Sequence, residues 1–287
     1  MALPEQSPTN FFITPSELSK ILTTPNTKLV DASWYLPAMN RDGKAEYDNG
    51  RIPGAVNFDI NAIADTSSSL PHMLPSPQMF AEAVGAMGIS EPDDIIIYDG
   101  LGVFSSARVW WTFRIMGAKN VRILAGGIDG WKAAGLPIET GEPAPKNPAK
   151  FKTDFQDAKV RDYAYMLTNI RKSPSLVLDA RPYGRFTGEI AEPRPGLRSG
   201  HIPGSKSLPA SDLIENGQLI ETSKLDYMLI EMGVDYAEHV TTTCGSGVTA
   251  AIISLALETC GYTRHSLYDG SWADWGSQPD APVARWK

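Results

Sequence analysis

The chain repeats itself once. KLVDAS, around Asp31, recurs as SLVLDAR around Asp179, 148 residues on. The turn GRIPGAVN at Gly54 recurs as GHIPGSKS at Gly204, 150 residues on. MGISEPDDIIIYDGLGVFSSA recurs as MGVDYAEHVTTTCGSGVTA and sets Cys244 opposite Asp99 at an offset of 145. Finally, LAGGIDGW ending at Trp131 returns as YDGSWADW ending at Trp275, at 144. Four matches in the same order, with offsets that drift by a few residues, are what a duplicated domain with small loop insertions produces. The period is far too long for a solenoid, and 287 residues is a comfortable length for two domains.

Between the copies lies TGEPAPKNPAKF, Thr140 to Phe151, with three prolines that each fix φ and remove a backbone donor. It reads as an exposed, fairly stiff linker, so the expected division is a domain at 1–139, a linker at 140–151 and a second domain at 152–287. Within each copy, short and nearly all-apolar runs (LVDA, IIIYD, VRILAGG) alternate with helical segments (SSARVWWTFRIMG, VTAAIISLALETCG). That alternation predicts an α/β fold in which each domain is a parallel sheet flanked by helices on both faces. Ligand sites in such folds lie at the carboxyl ends of strands.

A formal charge of −7 argues against binding nucleic acid through phosphates. No apolar run approaches the ~18 residues of a membrane span; Ala250 to Leu257 stops at Glu258. MALPEQSPTNFF shows neither a basic, apolar signal nor an Arg-rich transit character, so the cytoplasm is the expected compartment. There are two cysteines, Cys244 and Cys260, and a helix between them would hold them on the order of 20 Å apart. That is too far for a disulfide. No CxxC or Cys/His cluster suggests a metal, and no cofactor is expected.

The segment TTTCGSGVTAAIISLALE carries the chemistry. A strand ends, a loop of small residues follows, and an apolar helix begins. Such a loop aims backbone N–H groups into a concavity at a helix N-terminus, where negative charge is favoured. Cys244 opens the loop, and its thiolate is the form that attacks. Gly245 and Gly247 permit the tight turn, Ser246 offers a hydroxyl, and Thr249 could bond the loop backbone. A phosphatase loop would want an arginine six residues after the cysteine, where Ala250 stands. Cys260, in ETCGY, reads instead as a small buried hydrophobe near a helix C-terminus. Trp110, Trp111 and Trp131 read as packing residues, and Trp272 and Trp275 as packing near the cysteine loop.

CGSGVTAA, with GHIPGS upstream and YDGSW downstream, resembles the rhodanese-like sulfurtransferases, and the two-domain arrangement with CGSGVT resembles the branch that uses 3-mercaptopyruvate. HMLP at His72 to Pro75, SARVWW at Ser106 to Trp111 and EPRPG at Glu192 to Gly196 extend the resemblance over nearly the whole chain. In that family the first copy has lost its cysteine, as here at Asp99. The resemblance implies that Cys244 takes sulfur from 3-mercaptopyruvate as a persulfide and passes it to a thiol such as thioredoxin, or to cyanide. It also implies that Arg185 and Arg194 hold the substrate carboxylate, for which a planar guanidinium is suited. Arg181 and Arg198, in the same stretch, read as surface or structural arginines. Gly245, Gly247, Val248 and Thr249 complete the implied substrate-binding loop. Proton handling is implied for Ser246 with His72. The acidic residue that completes this relay in some relatives is replaced by Asn61, and Asp59 could stand in. His201, matched by Arg51 in the first copy, reads as structural. Thiosulfate sulfurtransfer is the sister activity, and a sulfur-carrying module without catalysis is the reading from another class.

Overall fold

Ile95, Ile96, Ile97 and Tyr98 in succession have no solvent exposure, which a strand allows only when both of its faces are covered. They lie at the centre of the first of two sheets in the computed structural model, which describes residues 7–172 and 175–286. Residues 1–6 of the amino-terminal segment read above for targeting signals lie outside the described residues.

The first half contains strands β1 (Phe12–Ile13), β2 (Thr27–Asp31), β3 (Val56–Asn57), β4 (Asp94–Tyr98) and β5 (Asn120–Leu124). Its helices are α1 (Pro15–Ile21), α2 (Gly43–Asn49), α3 (Pro77–Ala86), α4 (Ser105–Ile115) and α5 (Gly127–Ala133). The second half contains β6 (Val160–Arg161), β7 (Leu176–Asp179), β8 (Lys206–Ser207), β9 (Ile214–Glu215), β10 (Gln218–Leu219), β11 (Val240–Thr243) and β12 (His265–Tyr268). Its helices are α6 (Tyr163–Lys172), α7 (Tyr183–Thr187), α8 (Thr222–Glu231), α9 (Ala250–Thr259) and α10 (Ser271–Trp275).

The two main sheets are wholly parallel and have the same strand order, β1-β5-β4-β2-β3 and β6-β12-β11-β7-β8. The duplication read from the sequence is therefore a duplication of topology. Asp99 and Cys244 each follow the last residue of the equivalent strands β4 and β11. Parallel pairing forces the crossovers through helices, and α4 and α9, which follow those two strands, pack on each other across the boundary between the halves. One apolar cluster accordingly contains Trp110 and Phe113 of the first half together with Leu255 and Leu257 of the second. The β9–β10 hairpin also reaches the first half, where the Gly217 carbonyl accepts the Gly126 N–H at 3.0 Å. A Cβ on Gly102 would fall 2.4 Å from the Gly217 Cα, so the contact requires glycine.

One local feature differs from expectation. The helix expected from Val248 begins at Ala250, because Ala251 and Ile252 bond back three residues, to the Val248 and Thr249 carbonyls. Val248 and Thr249 thereby stay in the loop. The proline-rich segment after Thr140 has no helix or strand and is exposed over most of its length, while its far end packs on the first half. The Ala149 N–H bonds the Gly85 carbonyl at 2.8 Å, and buried Phe151 packs between Phe80 and Phe113 at 5.4 and 6.2 Å. Trp110, Trp111, Trp131, Trp272 and Trp275 are all fully buried. No helix among the described residues is long and apolar enough to cross a membrane.

Because one core spans both halves, calorimetry should show a single unfolding transition with matching calorimetric and van't Hoff enthalpies. Two resolved transitions would show that the halves fold independently.

Candidate active site

β11 lies between β7 and β12, and all four of its residues are buried. Its chain therefore leaves the sheet at one fixed place, with Cys244 in the first loop position and 2% exposed. The loop is then tied down from one side by α10. Trp272 and Ala273 donate their N–H groups to the Cys244 and Gly245 carbonyls, each at 2.9 Å. The hydroxyl of Ser271 accepts the Cys244 N–H at 3.2 Å and the Gly247 N–H at 3.1 Å, and donates to the Tyr268 carbonyl at 2.8 Å. Ser271 does this from a left-handed backbone, φ +50°, a conformation that persists only where the surroundings hold it. In the sequence Ser271 stands within YDGSW with nothing to signal this role.

The first half shows what this loop does with an anion. There the Asp99 carboxylate accepts the N–H groups of Leu101, Phe104 and Ser106, each at 2.8 Å. In the second half a thiol replaces that carboxylate. The N–H groups of Gly245, Ser246, Val248 and Thr249 have no hydrogen-bond partner among the described residues. Thr249 makes no side-chain cap with the loop, contrary to expectation. An open set of N–H donors at the end of a strand suits a bound anion.

Arg185 and Arg194 converge on the same loop. A Cβ on Gly245 would sit 3.1 Å from Arg185 Nη2 and 3.9 Å from Arg194 Nη1. Arg194 Nη2 also donates to the Ser246 hydroxyl at 3.3 Å. Burial and the neighbouring Arg185 lower the pKa of Arg194, and the charge of Cys244 opposes them. Glu192, which the sequence marks only as the first residue of EPRPG, is the acid of this cluster. Its carboxylate takes Arg181 at 2.8 Å and Arg185 at 2.5 Å while its side chain is 1% exposed. Arg181, in turn, is fully enclosed between Asp179 at 2.6 Å and the face of Trp272 at 4.2 Å. Arg181 is thus structural, as is Arg198, which donates to the carbonyls of Trp275, Gly276 and Ala281. Three guanidiniums face two carboxylates in this cluster, which leaves about one positive charge for an anionic ligand.

Cys244 opens on a cavity of about 250 Å³ lined by Arg185, Arg194, Ser246, Val248 and Thr249. The first half closes it with Trp34, Leu36 and Phe104, of which Trp34 and Phe104 stack with their centroids 6.0 Å apart. Residues this distant in sequence from Cys244 carry no motif that would have signalled them. His72 stands one layer back, its ring edge-on to Trp34 at 4.7 Å. It makes no hydrogen bond to Ser246, and its Nδ1 is buried without a partner. Burial, followed by the charges of Arg108 and Arg194, lowers its pKa to about 4, against an opposing pull from Asp59. Asn61 is exposed, and its N–H donates to Asp59 at 2.8 Å.

The other residues singled out from the sequence fall away from the cavity. Cys260 caps the C-terminus of α9, and burial pushes its thiol up to about 12. His201 stacks on Phe186 at 3.9 Å and bonds the Phe186 carbonyl at 2.9 Å, a packing role. Both cysteines are unpaired, and no metal-ligand cluster occurs among the described residues.

The depressed His72 fixes the sign of a stability effect. Unfolded chains bind a proton at the ordinary 6.5, whereas the folded protein resists it until about 4. Stability is therefore lost as pH falls through 6.5 and levels off near the folded value. His72→Asn should lose less stability than the unsubstituted protein between neutral pH and pH 4 in urea titrations. Parallel losses would show that His72 is not held neutral.

The rhodanese-like domain family model matches residues 14–134 and again 162–278. The chain is 40% identical over 277 residues to the 3-mercaptopyruvate sulfurtransferase of Escherichia coli K12, covering 96% of this chain and 98% of that one. It is 37% identical over 283 residues to the mitochondrial thiosulfate/3-mercaptopyruvate sulfurtransferase 1 of Arabidopsis thaliana, covering 91% and 75%. The crystal structure of SseA from Escherichia coli superposes with a TM-score of 0.84 at 38% identity, covering 92% of this chain and 99% of that one. Two matched domains, a shared topology and this cysteine loop place the chain in the rhodanese-like sulfurtransferase family, in its two-domain form.

Proposed function

We propose that the protein takes sulfur from 3-mercaptopyruvate, holds it as a Cys244 persulfide and passes it to a thiol such as thioredoxin, or to cyanide. The observation that carries this reading is the meeting of Cys244, unpartnered N–H donors and the Arg185/Arg194 pair in one small cavity. The thiolate attacks the substrate sulfur, an S–S bond forms and the substrate C–S bond breaks. The electron pair stays with the departing carbon as the enolate of pyruvate, which takes up a proton to give pyruvate. The acceptor thiolate then attacks the outer sulfur and restores the Cys244 thiolate. This divides one transfer into two displacements at sulfur.

Arg185 and Arg194 hold the α-keto carboxylate, and their residual single charge suits a monoanionic carboxylate better than the thiosulfate dianion. Ser246, whose oxygen accepts from Arg194, keeps its own proton available for the enolate. His72, neutral at physiological pH, can exchange a proton with it once substrate bridges the gap. Gly245, Ser246, Val248 and Thr249 supply the backbone donors, and Gly247, with its N–H on Ser271, supplies the turn that presents them. On this reading 152–287 is the catalytic domain, 1–139 completes its site, and 140–151 joins them. Two unpaired cysteines support a reducing compartment such as the cytoplasm.

Arg185→Ala removes a charge-assisted contact with the carboxylate, a contribution of about 1.5–3 kcal/mol. kcat/KM for 3-mercaptopyruvate should fall roughly 10- to 100-fold, and that for thiosulfate much less. An equal loss with both donors would remove the carboxylate role, and a higher kcat/KM for thiosulfate in the unsubstituted enzyme would reverse the choice of donor.

A further inference from the structure

Arg108, on α4 of the first half, is 2% exposed, and its guanidinium ends among groups that flank the Cys244 loop. Nη2 donates to Asp269 Oδ1 at 2.6 Å and to the His72 carbonyl at 2.8 Å. Nη1 donates to the Gly247 carbonyl at 3.3 Å. Asp269, 3% exposed and belonging to the second half, uses its other oxygen to accept the Leu74 N–H at 2.8 Å. The pair thus stitches the His72 loop of one half to the cysteine loop of the other.

The Gly247 contact has a geometric consequence. In a trans peptide the C=O and the following N–H point in opposite directions. Holding the Gly247 carbonyl on Arg108 therefore turns the Val248 N–H away from Arg108, on the loop whose Val248 lines the Cys244 cavity. Gly247 itself is shaped for this contact. Its φ is +76°, and a Cβ there would lie 2.9 Å from Arg108 Nη1 and 2.9 Å from the Asp269 carbonyl. The His72 contact acts on the other partner, since His72 also sits in the left-handed region at φ +59°. A left-handed, non-glycine backbone is kept only where its surroundings over-determine it.

We propose that Arg108 and Asp269 form a positioning pair that spans the two halves, aiming the Val248 N–H of the cysteine loop and fixing the place of His72. The proposal rests on Cys244 being the sulfur-carrying nucleophile. Neither residue touches the cavity; both act through the backbone groups they hold. A lysine at 108 keeps the charge for Asp269, but its single ammonium lacks the planar fork that reaches two carbonyls and a carboxylate together.

The test compares Arg108→Lys, Asp269→Asn and the doubly apolar Arg108→Met/Asp269→Leu, which removes both charges and leaves neither one buried alone. For each, the folding transition, kcat and KM for 3-mercaptopyruvate, and the rate of Cys244 alkylation by iodoacetamide are measured. Misaimed groups should lower kcat on the order of 10- to 100-fold in Arg108→Lys and in the double variant. KM should change little, because Arg185 and Arg194 are untouched, and alkylation should slow as the thiolate loses a donor. Wild-type kcat and alkylation rates in the folded variants, with only the folding transition lowered, would make the pair a structural staple and overturn the proposal. The alkylation measurement needs no sulfur donor, so it decides the positioning role even if the unsubstituted enzyme fails to turn over 3-mercaptopyruvate.

Discussion

A loop at the end of a parallel strand that leaves several N–H groups without a backbone partner is a place for negative charge. Both halves of this protein build that loop after equivalent strands, and they answer it differently. In the first half the Asp99 side chain satisfies three of the donors. In the second half the donors of Gly245, Ser246, Val248 and Thr249 stay open. An anionic ligand in the cavity would meet them as Asp99 meets its own. The duplication has thus produced one closed copy and one open copy of the same electrostatic device. The arginine cluster extends the logic outward, with Glu192 and Asp179 cancelling part of its charge so that the cavity is positive without being strongly so.

The closed copy still shapes the site. Trp34, Leu36 and Phe104 wall the cavity that Cys244 faces, and the stacked rings exclude water from one side of it. Excluding water strengthens the N–H and guanidinium interactions inside. The halves can serve one site only if they are held in register. Ion pairs across the boundary do this, the buried Arg108 with Asp269 and the partly exposed Arg114 with Glu258, each at 2.6 Å. α4, which carries both arginines, packs on α9, which carries Glu258. A buried ion pair is weak evidence for added stability, but the Arg108 pair also orders backbone beside the cysteine loop.

Much of this was legible in the sequence because it is local. The repeat offsets carry the two sheets and their common strand order. CGSGVT, between an apolar strand and an apolar helix, carries the proposed nucleophile and the donor loop. Arg185 and Arg194 needed the family resemblance, and the structure brings both within reach of Gly245. The parts that could not be read are contacts between distant segments. Arg108 meets Asp269 161 residues away, and Leu74 meets it 195 residues away. Neither pairing has any periodicity or spacing to betray it. Ser271 sits inside the YDGSW motif, but only its left-handed backbone and two incoming N–H groups show what it does. Glu192 was hidden for a related reason, since a glutamate in a proline-rich loop ordinarily points to solvent.

The proposed function rests on Cys244 as the carrier of sulfur between donor and acceptor. Mass spectrometry of the protein after brief exposure to 3-mercaptopyruvate, without acceptor, tests this directly. One sulfur atom should appear on the peptide that contains Cys244, matched by release of pyruvate, and Cys244→Ser should show neither. Pyruvate release with an unmodified Cys244 peptide, or sulfur on the Cys260 peptide in its place, would contradict the account.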